Sequence, residues 1–369
     1  MIIRIVIILI LLLVVPMSTF VIAERQNVTN PEKVYTYEMM ERDIHELKKI
    51  YPEIIQIKSI GKTKFDRNIW AVKLGNGEIN IKINGSHHAR EWITTNLIMK
   101  MIEEYAYSYK NEEYVYGMDT KILDKVSIWF VPMVNPDGVT LQQRGLDAFP
   151  EKYHSKLVGM NGGSDDFTRW KANGEGIDLN KQYPAEWDNL SNVSNEPHFK
   201  SYKGESPIQA KEVQAVIDFT KEIDPQIALA YHTTGRILYW YFFNNPENLE
   251  RDYCIAKKFS YMTGYEMVPK HTVRKSSGGG FSDWFIKEFN KPGLTAELSY
   301  YVKESNPPLS VFADEWKRHK SAGLMLSNEG LKIYNEMTMF PFHNYLNYNY
   351  RCDIENNMFE FLEKQLLDN

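Results

Sequence analysis

The sequence predicts an α/β fold in which helices cover a mixed β-sheet, and two features of its pattern predict it. β-rich runs alternate with segments whose apolar residues recur at helical spacing, the arrangement that packs helices against a sheet. From Val34 onward no Gly/Ser-rich or Pro-rich linker, low-complexity tract or internal repeat breaks the chain, so one domain of catalytic size is the simplest partition. The 369 residues, 43% hydrophobic and 25% charged, carry apolar mass for a large core and exclude disorder, collagen-like repeats and coiled coil.

The elements follow in order. Met40, Ile44, Leu47 and Ile50 fall at helical spacing and predict an amphipathic helix over Tyr37–Ile50. A β-rich run from Ile54 to Ile60 stops at Gly61. Ile69–Leu74 and Ile79–Ile83 flank Gly75-Asn76-Gly77, which reads as a hairpin. A helix is expected from Ile93 to about Tyr107, then a buried strand over Val126–Val134. That strand runs into Asn135-Pro136-Asp137-Gly138, whose Pro and Gly suit a type I turn. Beyond it come a helix at Ile208–Glu222, a strand at Ile227–Tyr231, a helix at Asp252–Thr263 and a short strand at Leu294–Leu298. In such sheets the chemistry gathers beyond the carboxyl ends of the strands.

Charge and cysteine content narrow the partners. With 43 Lys and Arg against 48 Asp and Glu the net charge is −5, and no basic stripe is visible, so nucleic acid is not an expected partner. Residues 1–23 combine the single positive charge of Arg4, the apolar run Ile5–Val15, Pro16, and small or apolar residues at Val21-Ile22-Ala23, the pattern of a secretory signal peptide. An uncleaved membrane anchor is the other reading of the same stretch; cleavage would release a secreted or wall-associated protein with no stable membrane attachment. Residues 24–34 then form a short N-terminal segment, 35–335 the main domain, and 336–369 a C-terminal tail. Cys254 and Cys352 are the only cysteines; one bridge tying the tail to the body and two free thiols are both open.

The chemically loaded residues lie at predicted strand ends. Of nine histidines only His88 has an acid three positions on, Glu91, and both sit between a strand and a helix where their side chains could converge on zinc. A surface histidine beside an acid at a helix N-terminus would leave the same trace. His232, following the strand Ile227–Tyr231, is the best third ligand, although a lone strand-end histidine is often simply hydrogen-bonded. Glu297 ends an apolar strand, where an isolated carboxylate is costly and must be paired, ligated or functional. Beside zinc it would make a suitable general base; a salt bridge to Lys or Arg is the competing account.

In combination these residues carry a resemblance. Asn84-Gly85-Ser86-His87-His88-Ala89-Arg90-Glu91-Trp92-Ile93, Pro132-Met133-Val134-Asn135-Pro136-Asp137-Gly138, Arg169-Trp170-Lys171-Ala172-Asn173 and Gly176-Ile177-Asp178-Leu179-Asn180, followed by His232 and the strand carrying Glu297, resemble the zinc metallocarboxypeptidases from about Tyr35 to Tyr334. The resemblance implies a single-domain α/β/α sandwich with a mixed, mostly parallel twisted sheet, and one zinc per monomeric chain. His88, Glu91 and His232 match the metal ligands, and Glu297 the catalytic glutamate. Lys171 stands where the family usually has the arginine that polarises the scissile carbonyl, with Arg169 as a competitor. Asp178 matches the acid that orients the first zinc histidine. Arg90 and Asn180 match residues that line the cleft and hold substrate carboxylates.

The departures choose a branch. Where the digestive and regulatory carboxypeptidases follow the cleft asparagine with an arginine that grips the terminal carboxylate, this chain has Lys181, a point charge without the bidentate fork. Arg274 or Lys275 stands where the family's mobile tyrosine would be, and Ser282 near the base of the pocket. These changes, the Gly278-Gly279-Gly280-Phe281-Ser282-Asp283-Trp284 block and the leader resemble the bacterial γ-D-glutamyl-meso-diaminopimelate peptidases, which cut peptidoglycan stem peptides. Arg90, Lys171, Lys181, Arg274 and Lys275 would suit so anionic a substrate, though some of them can be plain surface cations. A broad carboxypeptidase releasing C-terminal residues from L-peptides shares the same zinc machinery and is the alternative. A catalytically dead binding protein that keeps the cleft is the third reading.

Overall fold

The computed structural model describes residues 27–339, so the expectations placed on residues 1–23 and on Cys352 lie outside the described residues. The first half of the chain holds α1 (Tyr37–Ile50), β1 (Ile55–Lys62), β2 (Asn68–Leu74), β3 (Ile79–Asn84), α2 (Ile93–Lys110), β4 (Tyr114–Val115), β5 (Met118–Asp119), β6 (Val126–Val131), α3 (Pro136–Arg144) and α4 (His154–Met160). The second half adds α5 (Lys211–Ile223), β7 (Ala228–Thr233), β8 (Ile237–Tyr239), α6 (Leu249–Thr263), β9 (Glu266–Met267), α7 (Phe281–Phe289), β10 (Gly293–Leu298), α8 (Phe312–His319) and α9 (Ala322–Met339). Eight strands form one sheet in the order β1-β2-β6-β3-β7-β10-β8-β9, and β4 with β5 makes a separate two-stranded ribbon.

Strands β6, β3, β7 and β10 run parallel at the centre, and the β1–β2, β2–β6 and β10–β8 pairs are antiparallel. Alternation along the strands sorts the core into two layers. Val72, Leu74, Ile81, Ile83, Leu229 and Tyr231 face the helices α1, α2, α6, α8 and α9. Ile69, Ala71, Val131, Ala228 and Ala230 face α5 and α7. The result is the expected α/β/α sandwich. A smaller cluster under the loops of the site joins Ala89, Trp170, Ala172 and Phe199 to Leu157 and Met160 of α4. Buried Cys254 of α6 is disulfide-bonded.

Two local readings of the sequence are corrected. β2 and β3 do not pair across Gly75-Asn76-Gly77: β6 lies between them, bonded antiparallel to β2 and parallel to β3. The glycines serve that insertion, because a Cβ on Gly77 would stand 1.9 Å from the carbonyl carbon of Lys125, and Asn76 donates its N–H to Leu123 O at 2.8 Å. The chain neighbour that β2 does pair with, antiparallel, is β1. Asn135-Pro136-Asp137-Gly138 is not a free turn but the start of α3: Pro136 takes the first helical position and the Asn135 side chain accepts from Gly138 N at 2.9 Å.

Candidate active site

The parallel strands deliver the loaded residues to one edge. β3 ends at Asn84 and leads into His88; β7 carries His232 at its next-to-last position; β10 lies parallel to β7 with Glu297 directly opposite His232. Carboxyl ends of neighbouring parallel strands are where open α/β sheets place ligands. His88 precedes a single 3₁₀ turn over Ala89–Glu91 that feeds into α2. His88, extended at the N-cap, and Glu91, at the end of the turn, fall on either side of it with their side chains brought together.

His88, Glu91 and His232 are all buried, and a donor atom from each lies within 4.8 Å of the others. His88 Nδ1 is 2.8 Å from Glu91 Oε1, and His232 Nδ1 is 2.9 Å from Glu91 Oε2 and 3.1 Å from His88 Nδ1. Two imidazole nitrogens facing each other at that distance cannot both present lone pairs without a cation between them. The donor set, two imidazoles and one carboxylate, suits zinc. On the far side of the ring His88 Nε2 meets Asp178 Oδ1 at 3.1 Å, which directs its Nδ1 lone pair at the metal position. Burial pushes the Glu91 carboxyl up, but the partners His88 and His232 outweigh it and hold it well below the ordinary carboxylate range.

Asp178 is itself held on several sides. Ser201 N donates to Oδ2 at 3.1 Å, Asn180 N to Oδ1 at 3.3 Å, and Lys171 Nζ lies 3.6 Å from Oδ2. Burial raises its carboxyl, while Lys171 and His88 more than compensate and leave it well below its usual value. Glu297 is partly buried, and its carboxyl is pushed up to about 7, first by desolvation and then by Glu91, with His232 and Lys171 pulling the other way. A carboxylate poised near neutrality fits proton transfer.

The remaining cleft candidates divide. Lys171 stands close enough to influence both Asp178 and Glu297, whereas Arg169 lays its guanidinium 3.9 Å above the Phe199 ring and reaches the carbonyl of Asn161. Lys181 is half-buried; desolvation lowers its pKa against the pull of Asp178 and Asp283. Asn180 Oδ1 accepts from Phe281 N at 3.0 Å and so ties the site to the start of α7. Ser282, buried on α7, is bonded through Oγ to Thr295 Oγ1 at 2.5 Å. Arg274 folds back on His271 O and Val273 O, and Lys275, 62% exposed, lies 3.8 Å from Glu186; the structure does not gather these two with the zinc ligands. Arg90 donates to Arg169 O at 3.0 Å and lies 3.6 Å from Glu304.

Some participants carried no readable signal of their own. His87 stacks on His232 with ring centroids 5.4 Å apart and meets the Tyr183 hydroxyl through Nε2 at 3.0 Å, so it braces the third ligand from behind. Its place next to His88 was the only hint. The Ser201 backbone that grips Asp178 and the Glu304 carboxylate near Arg90 sit outside every motif.

Comparison with known proteins agrees with this geometry. Residues 40–322 match the zinc carboxypeptidase family. The chain is 37% identical over 289 residues to gamma-D-glutamyl-L-diamino acid endopeptidase 1 of Lysinibacillus sphaericus, covering 77% of this chain and 69% of the relative. It is 26% identical to carboxypeptidase B of Rattus norvegicus over 72% of this chain and 63% of that one. Among solved structures, thrombin-activatable fibrinolysis inhibitor superposes with a TM-score of 0.65 at 17% identity, covering 83% of this chain and 78% of that one, a likeness of fold. His88, Glu91 and His232 form a cluster that fits the family's zinc site, and the chain belongs to the zinc carboxypeptidases as a zinc metallopeptidase.

Proposed function

We propose that this enzyme hydrolyses the γ-D-glutamyl-meso-diaminopimelate bond of bacterial peptidoglycan stem peptides. The observation that carries the reading is the 37% identity, over most of the chain, to a relative named for γ-D-glutamyl-L-diamino acid endopeptidase activity. Lys181 supports it: a half-buried ammonium drawn toward Asp178 and Asp283 is a poorer clamp for a peptide's terminal carboxylate than a free guanidinium fork. The leader read in residues 1–23 would carry the enzyme outside the cytoplasm, where that substrate lies, as a secreted or cell-wall-associated monomer whose catalytic domain spans 35–335.

His88, Glu91 and His232 would hold the zinc, which would supply a Lewis acid able to bring the pKa of a water to roughly 7 and to polarise the scissile carbonyl. In this reading Glu297 takes the proton of the attacking water and then hands it to the departing amine nitrogen of the diamino acid. Lys171 donates to the oxyanion as the carbonyl becomes tetrahedral. Asp178 holds His88 in one tautomer, and Arg90, Asn180, Lys181 and Ser282 are the residues we assign to substrate binding, Lys275 standing apart from them beside Glu186. The test is mass spectrometry of the products from L-Ala-γ-D-Glu-meso-diaminopimelate and from a plain L-peptide, each with and without a zinc chelator. Chelator-sensitive cleavage of the γ-D-glutamyl bond is expected. Release of the last residue from the L-peptide alone would overturn the reading in favour of a broad carboxypeptidase.

A further inference from the structure

A basic cluster lies beside the zinc ligands and already holds one of the chain's own carboxylates. Glu304, on the segment between β10 and α8, places Oε1 2.5 Å from Lys200 Nζ and 3.6 Å from Arg90 Nη1. Arg169 adds to the same field, and these cations hold the Glu304 carboxyl below its ordinary value, the Lys200 hydrogen bond first among them. Phe199 is the shelf beneath: Arg169 lies 3.9 Å over its ring and Lys200 5.3 Å. Three cations therefore face a single acid.

The backbone fixes the cluster against the site. Ala89 N donates to Lys171 O at 3.0 Å, and Lys171 N to Phe199 O at 2.9 Å, so the segments carrying Arg90, Arg169 and Lys200 lie side by side. Arg90 falls between His88 and Glu91; Arg169 stands two residues before Lys171; Lys200 precedes Ser201, whose N–H grips Asp178. The segment bearing Glu304 rests on both ligand-bearing elements, through Val302 N to Thr234 Oγ1 at 3.3 Å and Ile93 N to Asn306 Oδ1 at 3.0 Å. It is otherwise open, with Tyr301 78% and Tyr300 52% exposed.

We infer that Arg90, Arg169 and Lys200 form a carboxylate-binding subsite flanking the scissile amide, and that Glu304 sets its selectivity by occupying it until an anionic substrate group takes its place. The ligand class is a peptide with a free carboxylate close to the bond cut. In a γ-linked D-glutamyl residue the α-carboxylate is separated from the scissile carbonyl by only a short aliphatic chain, which matches a cluster built on the turn that carries two zinc ligands. Charge-assisted bonds from two guanidinium groups and an ammonium favour such a group over its neutral amide. Exchange with Glu304 exposes no buried charge, because both Lys200 and Glu304 have side chains 39% exposed.

The inference rests on the reading of the enzyme as a peptidase for anionic stem peptides, and the test separates the two. Steady-state kinetics are measured for the zinc-loaded enzyme, Lys200→Gln and Glu304→Gln on L-Ala-γ-D-Glu-meso-diaminopimelate and on the same peptide with the D-Glu α-carboxylate amidated. A second pair, an L-peptide capped with succinyl or with acetyl next to the residue whose carbonyl is attacked, runs in parallel. The parent enzyme is expected to favour the acid over the amide by about tenfold in KM, the equivalent of about 1.4 kcal/mol. Lys200→Gln should bring that ratio toward unity, and Glu304→Gln should raise it by lowering KM for the acid about threefold. The ratio should also fall as salt is added. Equal ratios in all three proteins, or a higher KM for the acid in Glu304→Gln, would overturn the subsite. If the γ-D-glutamyl bond is not cut while the succinyl pair shows the ratio and its loss, the subsite stands and the substrate assignment falls.

Discussion

In the mechanism we propose, Glu297 and Asp178 act on the same reaction centre by different routes, and substitutions separate them. Glu297→Gln keeps size and hydrogen bonding but removes the proton acceptor, so turnover should fall by a factor of about 10² to 10⁴ with zinc stoichiometry unchanged, read by metal analysis alongside kinetics. Hydrolysis near the parent rate would remove Glu297 from the mechanism. Asp178→Ala frees His88 Nε2, now 3.1 Å from the carboxylate, and should weaken zinc about 10- to 100-fold in competition with a chelator. Its activity should then recover in part as zinc is raised, whereas Glu297→Gln should not respond. At this scale His88, Glu91, His232 and Glu297 were legible as candidates because His232 and Glu297 stand at strand ends and His88 and Glu91 share the short connection between a strand and a helix. Asp178 was legible only through the resemblance, since its bond to His88 spans 90 positions of sequence. Lys200 and Glu304, 104 positions apart, left no trace at all because surface cations and acids occur all along the chain.

Among the elements, the Gly75-Asn76-Gly77 connection shows where local reading stops. Its composition is that of a hairpin, yet the strand that fills the gap, β6, arrives from more than forty positions downstream, and no local signal announces an insertion. What the glycines do encode is close approach. Gly77→Ala would drive a methyl to 2.1 Å from both the Lys125 carbonyl oxygen and the Val126 nitrogen, neither of them a movable side-chain end. Urea denaturation should show a loss of about 3 kcal/mol or more, or no folded protein. Gly159→Ala is the control, in α4 with nothing within 4 Å of the new methyl, and should gain about half a kcal/mol. A loss below about 1 kcal/mol at Gly77 would mean that the start of β6 is free to move. Helix α1 was readable from apolar spacing, and α3 was missed because Pro136 marks a helix start and a turn equally well.

The pH range over which the whole sandwich is stable should be set in part by a buried acid that the chemistry does not use. Glu212 lies at the start of α5, fully buried, with Oε2 3.2 Å from Asn173 Nδ2 and with Oε1 lacking a hydrogen-bond partner among the described residues. Through Asn173 it meets the loops that carry Lys171 and Asp178, and Asp137 of α3, itself bound to Arg67 at 2.8 Å, adds its field. Desolvation, with Asp137 next, pushes the Glu212 carboxyl from 4.5 up to about 8. An acid whose pKa is raised by folding keeps its proton in the native state after the unfolded chain has lost it. Its contribution is therefore intact below about pH 4.5, declines as pH rises toward about 8, and levels off above that. At roughly 1.4 kcal/mol for each pH unit crossed between those two values, the decline amounts to a few kcal/mol, a sizeable share of the stability of an ordinary domain. Glu212→Gln, which has no proton to lose, should flatten it. In urea titrations of the zinc-loaded protein the variant should match the parent within about 1 kcal/mol at about pH 5 and exceed it at about pH 8.5. Parallel pH profiles for the two proteins would show that Glu212 is ionised in the native state, and would locate the pH limit of the fold in other groups.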